Sequence, residues 1–240
     1  MKFEIHRANE RGHANHGWLD SHHSFSFANY HNPQRMGVGK LRVVNDDVVA
    51  AAGGFGTHPH ENIEIVSIPL LGALEHKDSM GNKHVIDTDD VQLMSAGTGI
   101  THSEYNASDS EPVNFLQIWV KPDQIDISPR YDQKTFDVSL RQNVWQLVVA
   151  PLSHVTADEV VGINQQAYFS LTTLGKHASI DYEQYMQGNL LYVFIIDGEV
   201  STNDITLNKR DAMAIDSQQA IHFEANSDCR LLMIEIPPEA

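Results

Sequence analysis

The sequence holds a single cysteine, Cys229, among its 240 residues. One thiol excludes an intramolecular disulfide, which is typical of proteins from a reducing compartment. No stretch approaches the ~20 apolar residues that a membrane-spanning helix requires, and the segment after Met1 lacks the apolar run of a signal peptide. We therefore expect a soluble, cytoplasmic protein that does not bind a membrane.

Basic residues are also scarce. Sixteen lysine and arginine residues stand against 32 aspartate and glutamate residues, which gives a formal net charge of −16. An acidic surface repels nucleic-acid phosphates, and no run of lysine and arginine offers a local exception. We therefore expect no direct nucleic-acid contact, whereas small molecules and protein partners stay open.

Long runs with a helical period are missing as well. The chain instead alternates turn residues with short runs rich in Val, Ile, Phe, Tyr and Trp, such as Leu41–Val44, Phe115–Val120 and Leu190–Ile196. Such runs are typical of β-strands, and Asp197-Gly198 is a turn signal between them. The sequence therefore predicts an all-β fold, as a sandwich or barrel.

A weak internal repeat divides the chain into halves. A segment that begins at Asp90 reaches His102-Ser-Glu104, and a segment that begins at Asp211 reaches His222-Phe-Glu224. Each is followed by an apolar closing run. The repeat predicts two copies of one β-unit joined near residues 122–143, with domains at 1–125 and 126–240.

Two pairs of polar residues in the first half have the spacing of metal ligands. His58-Pro59-His60 and His102-Ser103-Glu104 each place two side chains on one face of a strand. Three imidazoles and a carboxylate suit one divalent transition-metal ion, such as Fe, Mn, Co, Ni, Cu or Zn, and leave coordination positions open for catalysis. Glu64, four residues after His60, is an alternative to Glu104 that periodicity leaves open.

Four blocks of this sequence resemble pirin and its bacterial relatives. They are Trp18–Phe27, Leu41–Asp46, His58–His60 and Gly97–Glu104. The resemblance extends from about residue 3 to about residue 120 and continues more weakly through the second half. It implies two facing cupin barrels in one chain, of which the first holds the metal ion.

Carried over position by position, the resemblance implies that His58, His60, His102 and Glu104 are the metal ligands, with Fe(II) favoured. It also favours Glu104 over Glu64. The implied activity is that of a quercetin 2,3-dioxygenase, which opens a flavonol ring with dioxygen, and Glu104 would serve as the general base. The alternative is a non-catalytic, metal-binding regulatory or redox-sensing protein with protein partners. A monomer is expected, since facing barrels bury the surfaces that single cupins hide by dimerising.

Other polar and aromatic residues receive less specific expectations. The second barrel is expected to lack metal, because counting from the glycine turns places Gln184 and Met186 opposite His58 and His60. His222 and Glu224 are then surface residues or a satisfied polar pair. Solvated loops are expected for Glu75, His76, His84 and Asp87–Asp90. The core is expected to contain Trp18, Trp119 and Trp145. For His23 and Arg42 two alternatives stay open: they lie near the metal, or they pack in the barrel wall.

Overall fold

The computed structural model describes residues 2–155 and 159–239, and these residues form 22 strands and three short 3-10 helices. The strands up to the chain midpoint are β1 (Lys2–His6), β2 (Gly12–Asn15), β3 (Leu19–His23), β4 (Leu41–Val49), β5 (Gly54–His60), β6 (Glu64–Leu71), β7 (Leu74–Asp78), β8 (Lys83–Ile86), β9 (Asp90–Ser95), β10 (Ile100–Asn106), β11 (Val113–Val120) and β12 (Arg130–Thr135). The remaining strands are β13 (Gln146–Pro151), β14 (Val161–Ile163), β15 (Tyr168–Leu174), β16 (Ser179–Tyr182), β17 (Leu190–Asp197), β18 (Glu199–Thr202), β19 (Ile205–Asn208), β20 (Ala212–Asp216), β21 (Ile221–Ala225) and β22 (Cys229–Ile236). The 3-10 helices are Ala8–Glu10, Val138–Arg141 and Leu152–His154.

The strands form four sheets. The first large sheet has the order β12-β9-β6-β11-β4-β3-β2, and the first small sheet has the order β5-β10-β7-β8. The second large sheet has the order β1-β20-β17-β22-β15-β13-β14, and the second small sheet has the order β16-β21-β18-β19. Each half is thus one barrel made of a large and a small sheet, which confirms the predicted all-β, two-barrel fold. In the described part of the chain, no helix is long and apolar enough to cross a bilayer.

Two burial patterns explain why these runs become strands. In β10 the buried positions alternate with more exposed ones, so one face points into the barrel and the other towards solvent. In β6 every position except Leu71 is buried. One face of β6 meets the first small sheet and the other meets the second barrel, which accounts for its nearly continuous apolar sequence.

Separate hydrophobic cores hold these layers together. One core lies between the large and small sheets of the second barrel and includes Leu191, Phe223 and Met233. A larger core joins the two large sheets face to face and includes Val66 and Phe194. The halves are therefore joined by a continuous apolar interface. Burial of one such side chain contributes about 1.5–3 kcal/mol to stability.

Each half contributes an edge strand to the other half's large sheet, and we call β1 and β12 the exchanged strands. β1 pairs with β20 in the second large sheet, with Lys2 opposite Asp216. β12 pairs with β9 in the first large sheet, with Thr135 opposite Asp90. The proposed boundary between residues 125 and 126 stays a prediction, and these two strands cross it in opposite directions.

Candidate metal centre

Pairing of β5 with β10 brings the predicted histidines together. His102 lies directly opposite His58 in this antiparallel pair. The register then shifts, so that Glu104 is opposite Phe55. A bulge of this kind changes the direction in which the next side chain points. His58 and His60 share one face of β5, as the alternation of side chains along a strand requires.

The glycines before β10 set the entry of the chain into this strand. Gly97 has φ of 48° and Gly99 has φ of 130°, conformations that disfavour other residues. A Cβ atom at Gly97 would also overlap the carbonyl oxygen of Ile127. These two glycines therefore allow the tight turn that leads the chain into β10.

The three imidazoles converge closely. Their ligand nitrogens lie within 4.8 Å of one another, and His58 Nε2 is 3.1 Å from His102 Nε2. His58 Nδ1 donates a hydrogen bond to the Gly56 carbonyl oxygen at 2.8 Å. That bond leaves the lone pair of neutral His58 on Nε2, which faces the other two rings.

The environment keeps two of these rings neutral. Burial, followed by the nearby His58, lowers the pKa of His60 to about 4. Burial also lowers the pKa of His102 far below its usual range, and neighbouring histidines add to the effect. Neutral imidazole is the form that binds metal ions, so the site favours a cation over protonation near neutral pH.

The donor set fits one divalent transition-metal ion. Two imidazole nitrogens bound to an ion at about 2.1 Å are about 3.0–3.4 Å apart, and the separation of the His58 and His102 nitrogens lies in that range. His102 Nδ1 is buried and has no hydrogen-bond partner among the described residues. Three imidazoles leave coordination positions open, as in catalytic metal sites.

Glu104 is buried beside this cluster and is held by two polar neighbours. Gln117 Nε2 donates to its Oε2 at 2.7 Å, and Ser67 Oγ lies 3.3 Å from its Oε1. Burial raises the pKa of Glu104 to about 7. Its carboxylate forms a second 4.8 Å group with His76 and His102, and in the described chain it is not within the group of three imidazoles.

His76 is a neighbour of the imidazole cluster that the sequence did not indicate as a candidate ligand. Its side chain is fully buried in β7, so the expectation of a solvated loop is wrong. His76 Nε2 lies 3.2 Å from Asp78 Oδ2, and its ring centroid is 5.3 Å from that of His102. The signal was present in the alternation of Leu74, His76 and Asp78 with two charged residues. Asp90 is also buried, at the start of β9.

The structure places Glu64 away from the imidazoles. His60 ends β5 in the small sheet, whereas Glu64 begins β6 in the large sheet, so the rule that residues i and i+4 share a face does not apply between them. Glu64 Oε2 accepts hydrogen bonds from Ser95 Oγ at 2.9 Å and from the Asn164 backbone at 3.1 Å. Its carboxylate therefore links the two barrels.

A pocket of about 600 Å³ opens onto the candidate site, and His58, His60 and Glu104 line it. Aromatic side chains form much of its wall, namely Trp18, Phe27, Tyr30, Phe55 and Trp119. The expectation of a core position is thus wrong for Trp18, which is 37% exposed, and incomplete for Trp119. Trp145 packs edge-on against Tyr182 in the second barrel.

Polar residues of β3 and β4 form another part of the pocket wall. Ser21 pairs with Asp47 across the strands and donates a hydrogen bond to its carboxylate. His23 Nε2 lies 2.8 Å from Ser21 Oγ. Burial raises the pKa of Asp47 to about 7, and the neighbouring Asp46 adds to this effect. His23 thus lines the pocket, whereas Arg42 donates to the Ser26 carbonyl oxygen at 2.7 Å and packs in the barrel wall.

The repeated His-x-Glu pair of the second barrel faces outward. In β21 the buried residues are Ile221, Phe223 and Ala225, while His222 and Glu224 are exposed. In β10 the His-x-Glu pair occupies the inward-facing positions, whereas in β21 the residues between the pair and on either side of it do. Because side chains alternate along a strand, a shift of one residue moves every side chain to the other face. His222 Nδ1 lies 2.7 Å from Asp181 Oδ1. The expectation of a surface position for this pair is confirmed.

Gln184 and Met186 do not occupy the positions expected from counting. β16 ends at Tyr182, and Asp181 is the residue opposite His222, as His58 is opposite His102. Gln184 and Met186 lie beyond the strand, where the Met186 amide donates to Glu235 Oε1 at 2.7 Å. The turn glycines therefore do not give the register of the ligand strands.

Two family models match this chain, one in each half. The family model described as pirin matches residues 4–120, and the model described as quercetinase C-terminal cupin domain matches residues 147–236. A protein of Escherichia coli K12 named quercetin 2,3-dioxygenase is 43% identical over 234 residues, which cover 98% of each chain. A pirin-like protein of Caulobacter vibrioides is 33% identical and covers 93% of this chain and 95% of its own.

A solved structure extends the likeness to three dimensions. The bacterial pirin YhhW of Escherichia coli, in complex with nickel(II), has a TM-score of 0.91 and 43% sequence identity. The match covers 99% of this chain and all of the other. Together with the match over both halves, this similarity shows that the chain belongs to the pirin family of two-barrel cupins.

Proposed function

We propose that this chain is a metal-dependent dioxygenase that opens the ring of a flavonol such as quercetin with dioxygen. The observation that carries the proposal is the convergence of three imidazoles beside an aromatic-lined pocket of about 600 Å³. That volume lies within the range of small-molecule sites, about 300–1,000 Å³. The relatives named quercetin 2,3-dioxygenase support this substrate class.

His58, His60 and His102 would hold one divalent metal ion, with Glu104 as the fourth ligand. The nickel complex of the related bacterial pirin supports a divalent ion, and we propose Fe(II), with Mn, Co, Ni, Cu and Zn as alternatives. When bound, such an ion acts as a Lewis acid that lowers the pKa of a coordinated hydroxyl group. The hydrogen bond from His58 to the Gly56 carbonyl oxygen fixes the orientation of the His58 ring.

Glu104 would accept the proton of the substrate hydroxyl group. It lines the pocket, and the hydrogen bond from Gln117 fixes the direction of its carboxylate. A general base must lie within hydrogen-bond reach of the proton that it removes. Glu104 is 3% exposed, so its carboxylate has little contact with bulk water.

The aromatic wall would bind the flat substrate. Trp18 and Phe55 contact each other edge to face, with centroids 5.1 Å apart. Trp119 meets His60 in the same way at 5.0 Å, so an aromatic surface adjoins the imidazoles directly. Rings of a planar substrate stack on such surfaces or meet them edge-on.

The test is aerobic turnover of quercetin by the metal-loaded protein, followed by loss of visible absorbance with and without chelator. Glu104→Gln is expected to lower turnover by about 10²-fold or more, the usual contribution of a general base. Glu224→Gln is the matched control, because Glu224 holds the same place in the repeated motif but faces solvent. Bound metal is measured in both variants. Retention of metal by Glu104→Gln assigns it the role of base, and loss of metal assigns it the role of ligand.

Absence of turnover by metal-loaded protein would contradict the dioxygenase proposal. If that protein still bound one metal ion through the imidazoles, the result would favour the alternative function, a non-catalytic regulatory or redox-sensing protein with protein partners. Equal turnover of Glu104→Gln and Glu224→Gln would remove Glu104 from the chemistry.

A further inference from the structure

The hairpin of β2 and β3 carries a second group of metal-ligating side chains on its solvent-exposed face, where His13 also borders the pocket. His13 lies directly opposite His22 in this pair, and directly opposed side chains have Cβ atoms about 5 Å apart on one face. The two rings stack with centroids 4.5 Å apart and planes inclined by 21°. The hairpin therefore presents two imidazoles side by side.

Asp20 adds a third donor to this pair. It precedes His22 by two residues on β3, so both side chains point to the same face. Asp20 Oδ1 lies 2.7 Å from His13 Nε2 and 3.8 Å from His22 Nδ1. The ligand atoms of the three residues all lie within 4.8 Å of one another. Each side chain is between 38% and 52% exposed, so an ion can reach them directly from solvent.

Two imidazole nitrogens and one carboxylate oxygen suit zinc, nickel or copper, since calcium and magnesium prefer oxygen alone. Asp20 favours a cation here, and Arg11 opposes it. The charge of Arg11 is offset in part by Asp46, since Arg11 Nη2 lies 3.5 Å from Asp46 Oδ2.

We infer that His13, Asp20 and His22 form a second site for a divalent transition-metal ion such as zinc, separate from the barrel imidazoles. Side chains alternate along β3, so Ser21 and His23 point into the pocket from its opposite face. An ion on the outward face joins β2 to β3 and thereby fixes a strand that lines the pocket.

The experiment titrates metal-free, full-length protein with Zn²⁺ by calorimetry. The wild-type protein is expected to bind about two equivalents, and His22→Ala about one. His16→Ala is the matched control, because His16 is an exposed histidine of the same hairpin outside the group, and it should keep both equivalents. A variant with His58→Ala and His60→Ala should keep the surface equivalent.

Asp20→Asn is a second test, needed in case His22→Ala disrupts the hairpin. Asparagine keeps the size of the aspartate side chain and removes only its charge. This substitution is expected to weaken the surface equivalent at least tenfold while the melting temperature of the metal-free protein stays near that of wild type. A single wild-type equivalent that is lost when His58 and His60 are replaced by alanine, two equivalents in His22→Ala, or unchanged affinity in Asp20→Asn would overturn the assignment. Loss of the surface equivalent in His16→Ala would overturn the donor set.

Discussion

Replacement of Asp47 by asparagine is expected to stabilise the metal-free protein at alkaline pH. Burial raises the pKa of this carboxyl group from 3.8 to about 7, so between these values the folded state keeps a proton that the unfolded chain releases. Stability is therefore lost as pH rises through this window. The two pKa values differ by about three, and one unit corresponds to 1.36 kcal/mol, so the cost above pH 7 is about 4 kcal/mol.

Urea unfolding of wild type and Asp47→Asn at two pH values measures this cost. Asparagine has the same size and still accepts the hydrogen bond from Ser21, so the variant should exceed wild type by about 4 kcal/mol at pH 8 and by about 1.5 kcal/mol at pH 5. Asp109→Asn removes the same charge from an exposed loop position and controls for the net charge of −16. A variant less stable than wild type at pH 8, or a difference that is equal at both pH values, would refute the reasoning.

Three further predictions concern stability. Gly97→Ala should lower the free energy of unfolding by at least about 1–3 kcal/mol in urea unfolding, because φ is 48° and the new Cβ would overlap the Ile127 carbonyl oxygen. Phe223→Ala should cost about 3–5 kcal/mol in the same assay, since Phe223 is fully buried in the second barrel, and metal binding to the first barrel should persist. Burial lowers the pKa of His6 to about 4, so stability should fall as pH drops from 6.5 towards 4, by up to about 3 kcal/mol. His6→Gln should reduce that loss in thermal melts across the same range.

The fold class followed from the sequence because strand periodicity and turn residues are local signals. The shared face of His58 and His60 also followed, since residues i and i+2 point the same way in any strand, whereas the approach of His102 depends on the pairing of β5 with β10. What failed depended on contacts between strands. Glu64 shares a face with His60 only along one continuous strand, and the chain changes sheets between them.

The position of His76 also depends on contacts between strands. It was expected in a solvated loop, and only the pairing of β7 with β10 places it beside His102. The outward turn of His222 likewise depends on which residues of β21 face the second barrel's core. A repeated motif therefore predicts a repeated strand, but the face that it presents depends on packing partners far away in the chain.

The exchanged strands mean that this molecule cannot be divided into two working pieces by one cut. A fragment that ends before residue 126 would carry β1 without its partner β20, and it would leave β9 without β12. Both fragments would then display a bare row of amide and carbonyl groups, which is a template for aggregation. During synthesis β1 cannot pair until β20 has been made, because Lys2 lies opposite Asp216 and most of the chain must leave the ribosome before they can meet. Neither large sheet can therefore be completed until both halves of the chain are present.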